Sequence, residues 1–343
     1  MRAYHLSPGA GLASLAPREQ PTPDPAPTEA LVRVRAAALN YRELNVARDT
    51  YPLPLKRDLI PVSDGAGEVV AVGAEVTRVR VGDRVMAAIF PRWQDGPFDM
   101  AVSAQLGGSL DGMLTEYAAL DQDALIPVPE HLSYEQAATL PCAAVTAWHA
   151  LSGGRGVQPG ETVLTLGSGG VSLFALQFAR LFGARVIATT GDDDKAQRLT
   201  ALGAEHVLNY RGTPDWPERV RELTGGAGAE VIVEVAGTID QSLRAVARGG
   251  EIAFVDTLGG GEPLGPVDPR ALWLSGATVR PLAVGSRAHF AAMARAIAAH
   301  RLEPIIDRVF DFDEAPAAYS YFQDARPLGK VVIAATVPAS GGE

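Results

Sequence analysis

Apolar and charged residues alternate through Leu31-Val32-Arg33-Val34-Arg35, the period-two pattern of a strand with one buried face. Gly67-Glu68-Val69-Val70-Ala71-Val72-Gly73 predicts a second strand, and Val79-Arg80-Val81-Gly82-Asp83-Arg84-Val85 a strand, a tight turn and the start of another. Short runs of this kind, punctuated by Gly and Pro, make the first third a β-rich domain. From about residue 160 the texture changes. Apolar runs at 162–166, 185–189, 206–208, 231–235, 251–255 and 278–282 predict six strands separated by helices. Between the first two, Val171, Phe174, Phe178 and Leu181 recur at helical spacing until Gly183 stops the helix. Strand and helix in alternation predict a doubly wound parallel six-stranded sheet. Residues 288–300 then read as an Ala-rich helix and Gly329-Lys330-Val331-Val332-Ile333 as a strand, which returns to the first domain because the six-stranded fold is already complete.

Composition narrows the class. The 343 residues are enough for about two domains, and 47% hydrophobic with 20% charged residues is the balance of an ordinary folded chain. Thirty Lys plus Arg against forty Asp plus Glu give a net charge of −10, the wrong sign for a nucleic-acid partner. Cys142 is the single cysteine, so no intrachain disulfide and no four-cysteine zinc lobe can form. No run of 18 apolar residues supports a membrane span, and the stretch after Met1 lacks the apolar segment of a secretory signal. A cytoplasmic protein is expected.

The run Thr162-Val163-Leu164-Thr165-Leu166-Gly167-Ser168-Gly169-Gly170-Val171-Ser172 reads as strand, glycine turn and helix start. Such a turn lets the backbone pass close to a pyrophosphate, which the free N–H groups of the helix N-terminus then bind. Gly167, Ser168, Gly169, Gly170 and Val171 are therefore candidate cofactor contacts, although Ser172 replaces the third glycine of the usual pattern. Thr190 stands at the end of the second strand, where an acidic residue would bind the ribose hydroxyls of NAD. A neutral residue there leaves space for the 2′-phosphate of NADP, with Lys195, Arg198 or Arg211 as counter-charges and Tyr210 beside them. Asp192, Asp193 and Asp194 would repel that phosphate if they face it, or else cap the following helix. The reading favours NADP(H) over NAD(H).

The ordered runs Ala38-Leu39-Asn40-Tyr41-Arg42-Glu43, Pro61-Val62-Ser63-Asp64-Gly65, Gly82-Asp83-Arg84-Val85, Gly112-Met113-Leu114-Thr115-Glu116-Tyr117, Cys142-Ala143-Ala144-Val145-Thr146 and Gly329-Lys330-Val331-Val332, with the glycine loop, resemble the medium-chain dehydrogenase/reductase superfamily. The likeness is to its zinc-free quinone oxidoreductase and enoyl reductase branch. The resemblance implies an α/β chain with a GroES-like β-rich catalytic domain at 1–124 and 287–343 and a Rossmann domain at 125–286. It also implies a homodimer built through the sixth strand.

By the same resemblance, Asn40, Ser63 with Asp64, and Cys142 stand where zinc-dependent relatives carry metal ligands. That set is short of thiolate and imidazole, so no zinc is expected. Hydride transfer to a quinone or an α,β-unsaturated carbonyl is the implied reaction, with metal-free alcohol or aldehyde chemistry as an alternative and a silent nucleotide-binding protein as another. Asn40, Tyr41, Tyr51 and Asp64 are the candidate catalytic residues. Asn40 would lie near the nicotinamide or else cap a turn after its strand, and Tyr41 and Tyr51 would serve as acid or as pocket wall. Thr146 is expected against the nicotinamide, and Lys330 at a cofactor phosphate or the nicotinamide carboxamide. Residues 90–110, with Trp93 and Phe98 expected to be exposed, read as a loop over the substrate cleft or at a subunit contact.

Overall fold

The computed structural model describes residues 1–255 and 267–335. In chain order its strands are β1 (Arg2–His5), β2 (Ala16–Glu19), β3 (Glu29–Leu39), β4 (Asp64–Val72), β5 (Arg84–Ala87), β6 (Tyr117–Asp121), β7 (Leu125–Pro127), β8 (Thr162–Thr165), β9 (Arg185–Thr190), β10 (His206–Asn209), β11 (Ala229–Glu234), β12 (Val246–Phe254), β13 (Thr278–Pro281), β14 (Ile306–Asp311) and β15 (Lys330–Ala334). Met1–Val145 with Gly285–Glu343 form one unit and Thr146–Val284 a second.

In the first unit β3 organises the sheet. Its even-numbered residues are buried throughout, Arg33 and Arg35 are half-buried on the other face, residues 36–39 are buried on both, and its eleven residues are long enough to take two neighbours on one edge. The first half pairs with β6, Glu29 opposite Asp121 to Arg33 opposite Tyr117. The second half pairs with β15, Leu39 opposite Val331 to Ala36 opposite Ala334. On its other edge β3 pairs with β4, followed by β5 and β7, while β14 lies outside β15. Leu39, Val62, Met113, Phe312, Tyr319 and Val331 belong to the core beneath.

The second unit carries six parallel strands in the order β10-β9-β8-β11-β12-β13. In the unit's own strand numbering this is 3-2-1-4-5-6, the dinucleotide-binding order. Helix Gly170–Leu181 buries Phe174 and Phe178 of the four residues the helical spacing named, with Leu173 and Leu176, while Val171 and Leu181 are half-buried.

Three expectations change. Residues 79–83 form a turn with no strand before it: the Arg80 N–H donates to Asp83 Oδ2 at 3.0 Å, and Gly82 takes φ 91°. The first unit extends to Val145, beyond the expected limit at residue 124, because β7 pairs with β5 and holds the following segment to the β-rich sheet. Trp93 is buried; its ring meets Phe98 edge-on at 5.1 Å and its indole N–H donates to the Gly96 carbonyl at 3.0 Å. The carbonyls of Trp93 and Gln94 accept the Arg287 and Ala288 N–H groups, satisfying the start of helix Arg287–His300. The turn residues around Trp93 thus close a local aromatic cluster. Among the described residues no helix is long and apolar enough to cross a membrane.

Replacing Trp93 with Ala empties this cluster and loosens the helix start it supports. A loss of about 3–5 kcal/mol is expected for the first unit, measured as a fall in its thermal unfolding midpoint by circular dichroism. An unchanged midpoint would show that the ring contributes no packing.

Candidate active site

Three strand ends meet at one corner of the first unit's sheet. Asp64, the first residue of β4, lies opposite Ala38, and the β15 register places Lys330 across from Asn40, one residue beyond the Leu39–Val331 pair. Residues two apart on a strand share a face, and cross-strand partners point the same way. Asn40, Asp64 and Lys330 are therefore gathered on one face by register alone.

Lys330 is 2% exposed. Its Nζ donates to the Leu39 carbonyl at 2.7 Å and to Asn40 Oδ1 at 2.5 Å, and it stands 3.5 Å from Asp64 Oδ2. Asn40 occupies the N-cap position of helix Tyr41–Arg48, where Asn is a preferred residue, yet its side chain makes no capping bond. The amide turns to the lysine instead, and among the described residues its Nδ2 is buried without a hydrogen-bond partner.

A second buried pair adjoins the first. Arg42 Nη1 lies 2.9 Å from Glu43 Oε1, and Nη2 donates to the Gly107 carbonyl at 3.2 Å. The guanidinium also lies over the Tyr51 ring, 4.7 Å from its centre. Ser63 joins the two clusters: its N–H donates to Glu43 Oε1, and its Oγ is 3.2 Å from that atom and 3.0 Å from Asp64 Oδ1. Burial raises the Glu43 carboxyl against the lowering effect of Arg42. Burial, with the charge of Asp64, likewise pushes up the Cys142 thiol, leaving it a poor source of thiolate.

The backbone beneath Ser63 is strained. Val62 is held at φ 72°, an outlying conformation for a β-branched residue that costs about 1–3 kcal/mol. Its carbonyl accepts the Met113 N–H at 2.7 Å, and a Cβ on Gly107 would come within 2.7 Å of Ser63 N. Only a glycine lets that loop pass so close.

In the second unit β8 runs into a loop whose glycines face open space, since a Cβ on Gly167 or Gly169 would meet nothing within 4 Å. Helix Gly170–Leu181 begins there without a side-chain cap. Its first N–H groups and the open space over the glycines fit a pyrophosphate. The Gly167 N–H donates to Thr189 Oγ1 at 3.2 Å, and Ser172 Oγ donates to the Leu166 carbonyl at 2.6 Å, so the serine at the third glycine position braces the turn.

At the end of β9 Thr190 is buried. A Cβ on the next residue, Gly191, would lie 2.5 Å from the Tyr210 hydroxyl and 3.0 Å from Arg211 Nε, so both side chains close over that glycine. Asp192 caps the next helix by accepting the Lys195 N–H, and Asp193 Oδ1 accepts from Asn209 Nδ2. Two carboxylates of the acidic run are thereby engaged in local structure.

The structure brings Asn40 and Asp64 to one lysine, with Lys330 bonded to Asn40 Oδ1 and 3.5 Å from Asp64 Oδ2. Tyr41 is 37% exposed at the start of its helix, and Tyr51 packs under Arg42. Thr146 is buried on helix Val145–Ser152 in the second unit. Sequence reasoning missed the Arg42–Glu43 pair, because opposite charges in the first turn of a helix ordinarily mark a solvated face. The available signal was their position directly after Asn40.

Comparison with known proteins gives a consistent family. Residues 26–130 match the alcohol dehydrogenase GroES-like domain and residues 170–299 the zinc-binding dehydrogenase family. A zinc-type alcohol dehydrogenase-like protein of Schizosaccharomyces pombe is 41% identical over 94% of this chain and 96% of its own. A quinone oxidoreductase of Sus scrofa is 27% identical over 91% and 90%. The crystal structure of an NAD-dependent alcohol dehydrogenase is 32% identical, with a TM-score of 0.88 over 98% of this chain and all of that one (100%).

The zinc implied by one of these descriptions does not fit the residues present. The corresponding positions offer an amide, a serine beside one carboxylate and a thiol disfavoured as thiolate, with the Lys330 ammonium already 3.5 Å from that carboxylate. Among the described residues no group of three or more His, Cys, Asp or Glu is placed to hold a metal ion.

Removing one member of the buried Arg42–Glu43 pair leaves an uncompensated charge. Arg42→Met is expected to cost about 3–5 kcal/mol, and adding Glu43→Leu to restore much of it. Thermal unfolding of the two variants checks this; equal midpoints for the single variant and the unaltered chain would contradict it.

Proposed function

The chain belongs to the zinc-type alcohol dehydrogenase-like proteins of the medium-chain dehydrogenase/reductase superfamily, an NAD(P)-dependent oxidoreductase, and we propose that it reduces a quinone or an α,β-unsaturated carbonyl without a catalytic metal. The observation that carries this reading is the buried, unpartnered Nδ2 of Asn40, held beside a lysine ammonium where a Lewis acid would otherwise be needed. The quinone oxidoreductase among the relatives supports it.

A bound reduced nicotinamide would supply the hydride, and with it two electrons, to the acceptor carbon, and the acceptor oxygen would take its proton from water. Asn40 donates a hydrogen bond to that oxygen. The bond strengthens as negative charge develops, which favours the transition state over the ground state. Asp64 and Ser63 hold Lys330 and the amide in place.

We favour NADPH as the donor. Thr190 brings no carboxylate to the ribose, Asp192 and Asp193 are engaged elsewhere, and Arg211 lies over Gly191 where a 2′-phosphate would be neutralised. The NAD-dependent name of one solved relative points the other way; the residues at the end of β9 decide our reading. We also read the chain as a homodimer. Strand β13 is the last strand of its sheet among the described residues, and Leu272, Trp273 and Leu274 are exposed on the helix just before it, Trp273 at 77%. A reduced cytoplasmic setting suits a chain whose one cysteine is a free, buried thiol.

Following NADPH absorbance with a panel of quinones, enones and aldehydes tests the activity. Turnover of quinones or enones is expected; turnover of aldehydes alone would favour the alcohol and aldehyde reading, and none at all a silent nucleotide-binding protein. Arg211→Ala should raise KM for NADPH about tenfold and leave that for NADH unchanged; equal effects on both would remove the phosphate assignment. Trp273→Asp should convert a two-chain mass in light scattering to a one-chain mass, and an unaffected dimer would place the interface elsewhere.

A further inference from the structure

The geometry points to Lys330 as the positioning residue that decides which end of the Asn40 amide is offered to the substrate. This rests on the reading of Asn40 as donor to the acceptor oxygen. An ammonium carries donors and no acceptor, so the amide atom 2.5 Å from Nζ has to be the oxygen. The NH2 end is thereby turned away from the lysine, and Nδ2 is a buried donor with no partner among the described residues. Without Lys330 the amide could rotate by half a turn and present a carbonyl oxygen, which would repel a developing oxyanion.

The lysine is itself fixed. Its ammonium donates to the Leu39 carbonyl and to Asn40 Oδ1, and Asp64 Oδ2 stands 3.5 Å away on a carboxylate whose Oδ1 accepts from Ser63 Oγ. Each of these comes from a strand end whose register is set by the sheet. The donated bond has a second effect. A cation on the amide oxygen draws electron density from the nitrogen and makes Nδ2–H a stronger donor. As the acceptor takes up the hydride and charge moves onto its oxygen, that N–H meets an enolate or quinol anion. Lys330 touches neither and acts through Asn40.

A double-mutant cycle separates this role from simple charge balance. Asn40→Asp keeps an oxygen for Lys330 but has no NH2; its thermal midpoint should be retained while kcat for the enone falls about 100- to 1000-fold. Lys330→Met keeps Asn40 but frees the amide, and kcat should fall about tenfold with KM for NADPH unchanged. In the Asn40→Asp background, Lys330→Met should cause no further loss in kcat, because its route to the substrate is already gone. Absorbance titration with 4-nitrophenolate, an anionic oxygen standing for the enolate, gives a readout independent of turnover, and either single variant should weaken its binding about tenfold. If Lys330→Met does not fold, Lys330→Met with Asp64→Asn removes both charges and carries the same expectation.

Full kcat in Asn40→Asp would overturn the donor reading itself. Loss in Asn40→Asp with full kcat and full nitrophenolate affinity in Lys330→Met would overturn the role of Lys330 alone. An equal fall from Lys330→Met in both backgrounds would show that the lysine does not act through Asn40.

Discussion

A lysine ammonium buried at the corner of a β-sheet is the constraint on which the rest of the candidate site depends. Burying such a charge costs several kcal/mol unless its donors are met. Here the Leu39 carbonyl and Asn40 Oδ1 accept from it, and the Asp64 carboxylate stands 3.5 Å away as counter-charge. Because β3, β4 and β15 are antiparallel neighbours, their hydrogen-bond register is also the register of the site. Slipping β15 by one residue would turn Lys330 to the opposite face and leave Asp64 without its cation. Fold and chemistry are specified by the same pairings.

The Arg42–Glu43 pair extends this arrangement into the helix that follows β3. Ser63 connects the two charge pairs through carboxylate contacts, and the left-handed backbone at Val62 sets where Ser63 points. Strain at that position persists because its carbonyl is bonded and Gly107 allows the close approach of a neighbouring loop. In the second unit the phosphate-binding features need no charge of this kind. They follow from glycines facing open space and an uncapped helix start, with Ser172 and Thr189 bracing the loop. Anion binding by backbone and the oxyanion binding we propose for the locked amide are two uses of one principle, a donor fixed in place before the charge arrives.

Much of this was legible in the residues. The six strands of the parallel sheet and the helix after the glycine turn follow from hydrophobic period and turn chemistry, which are local. Asn40 and Asp64 could be singled out by motif, and Thr190 by its distance from Gly167. The position of Lys330 could not be read this way, because it depends on a strand pairing nearly three hundred residues apart in sequence. Trp93 departs from the sequence expectation for a related reason: its turn-rich surroundings suggest exposure, whereas Phe90, Phe98 and the start of helix Arg287–His300 enclose it. The turn at residues 79–83 was taken for a strand because Val79 and Val81 alternate with arginine, while the Arg80–Asp83 bonds settle the local structure.

The central claim is that this scaffold polarises its acceptor with Asn40 and Lys330 in place of a metal. The direct measurement is NADPH-dependent reduction of a quinone or enone by protein dialysed exhaustively against a chelator, with zinc content followed by mass spectrometry. The account predicts undiminished kcat in protein holding no stoichiometric zinc, and no stimulation when zinc is added back. Loss of turnover on chelation, restored by one zinc per chain, would contradict it.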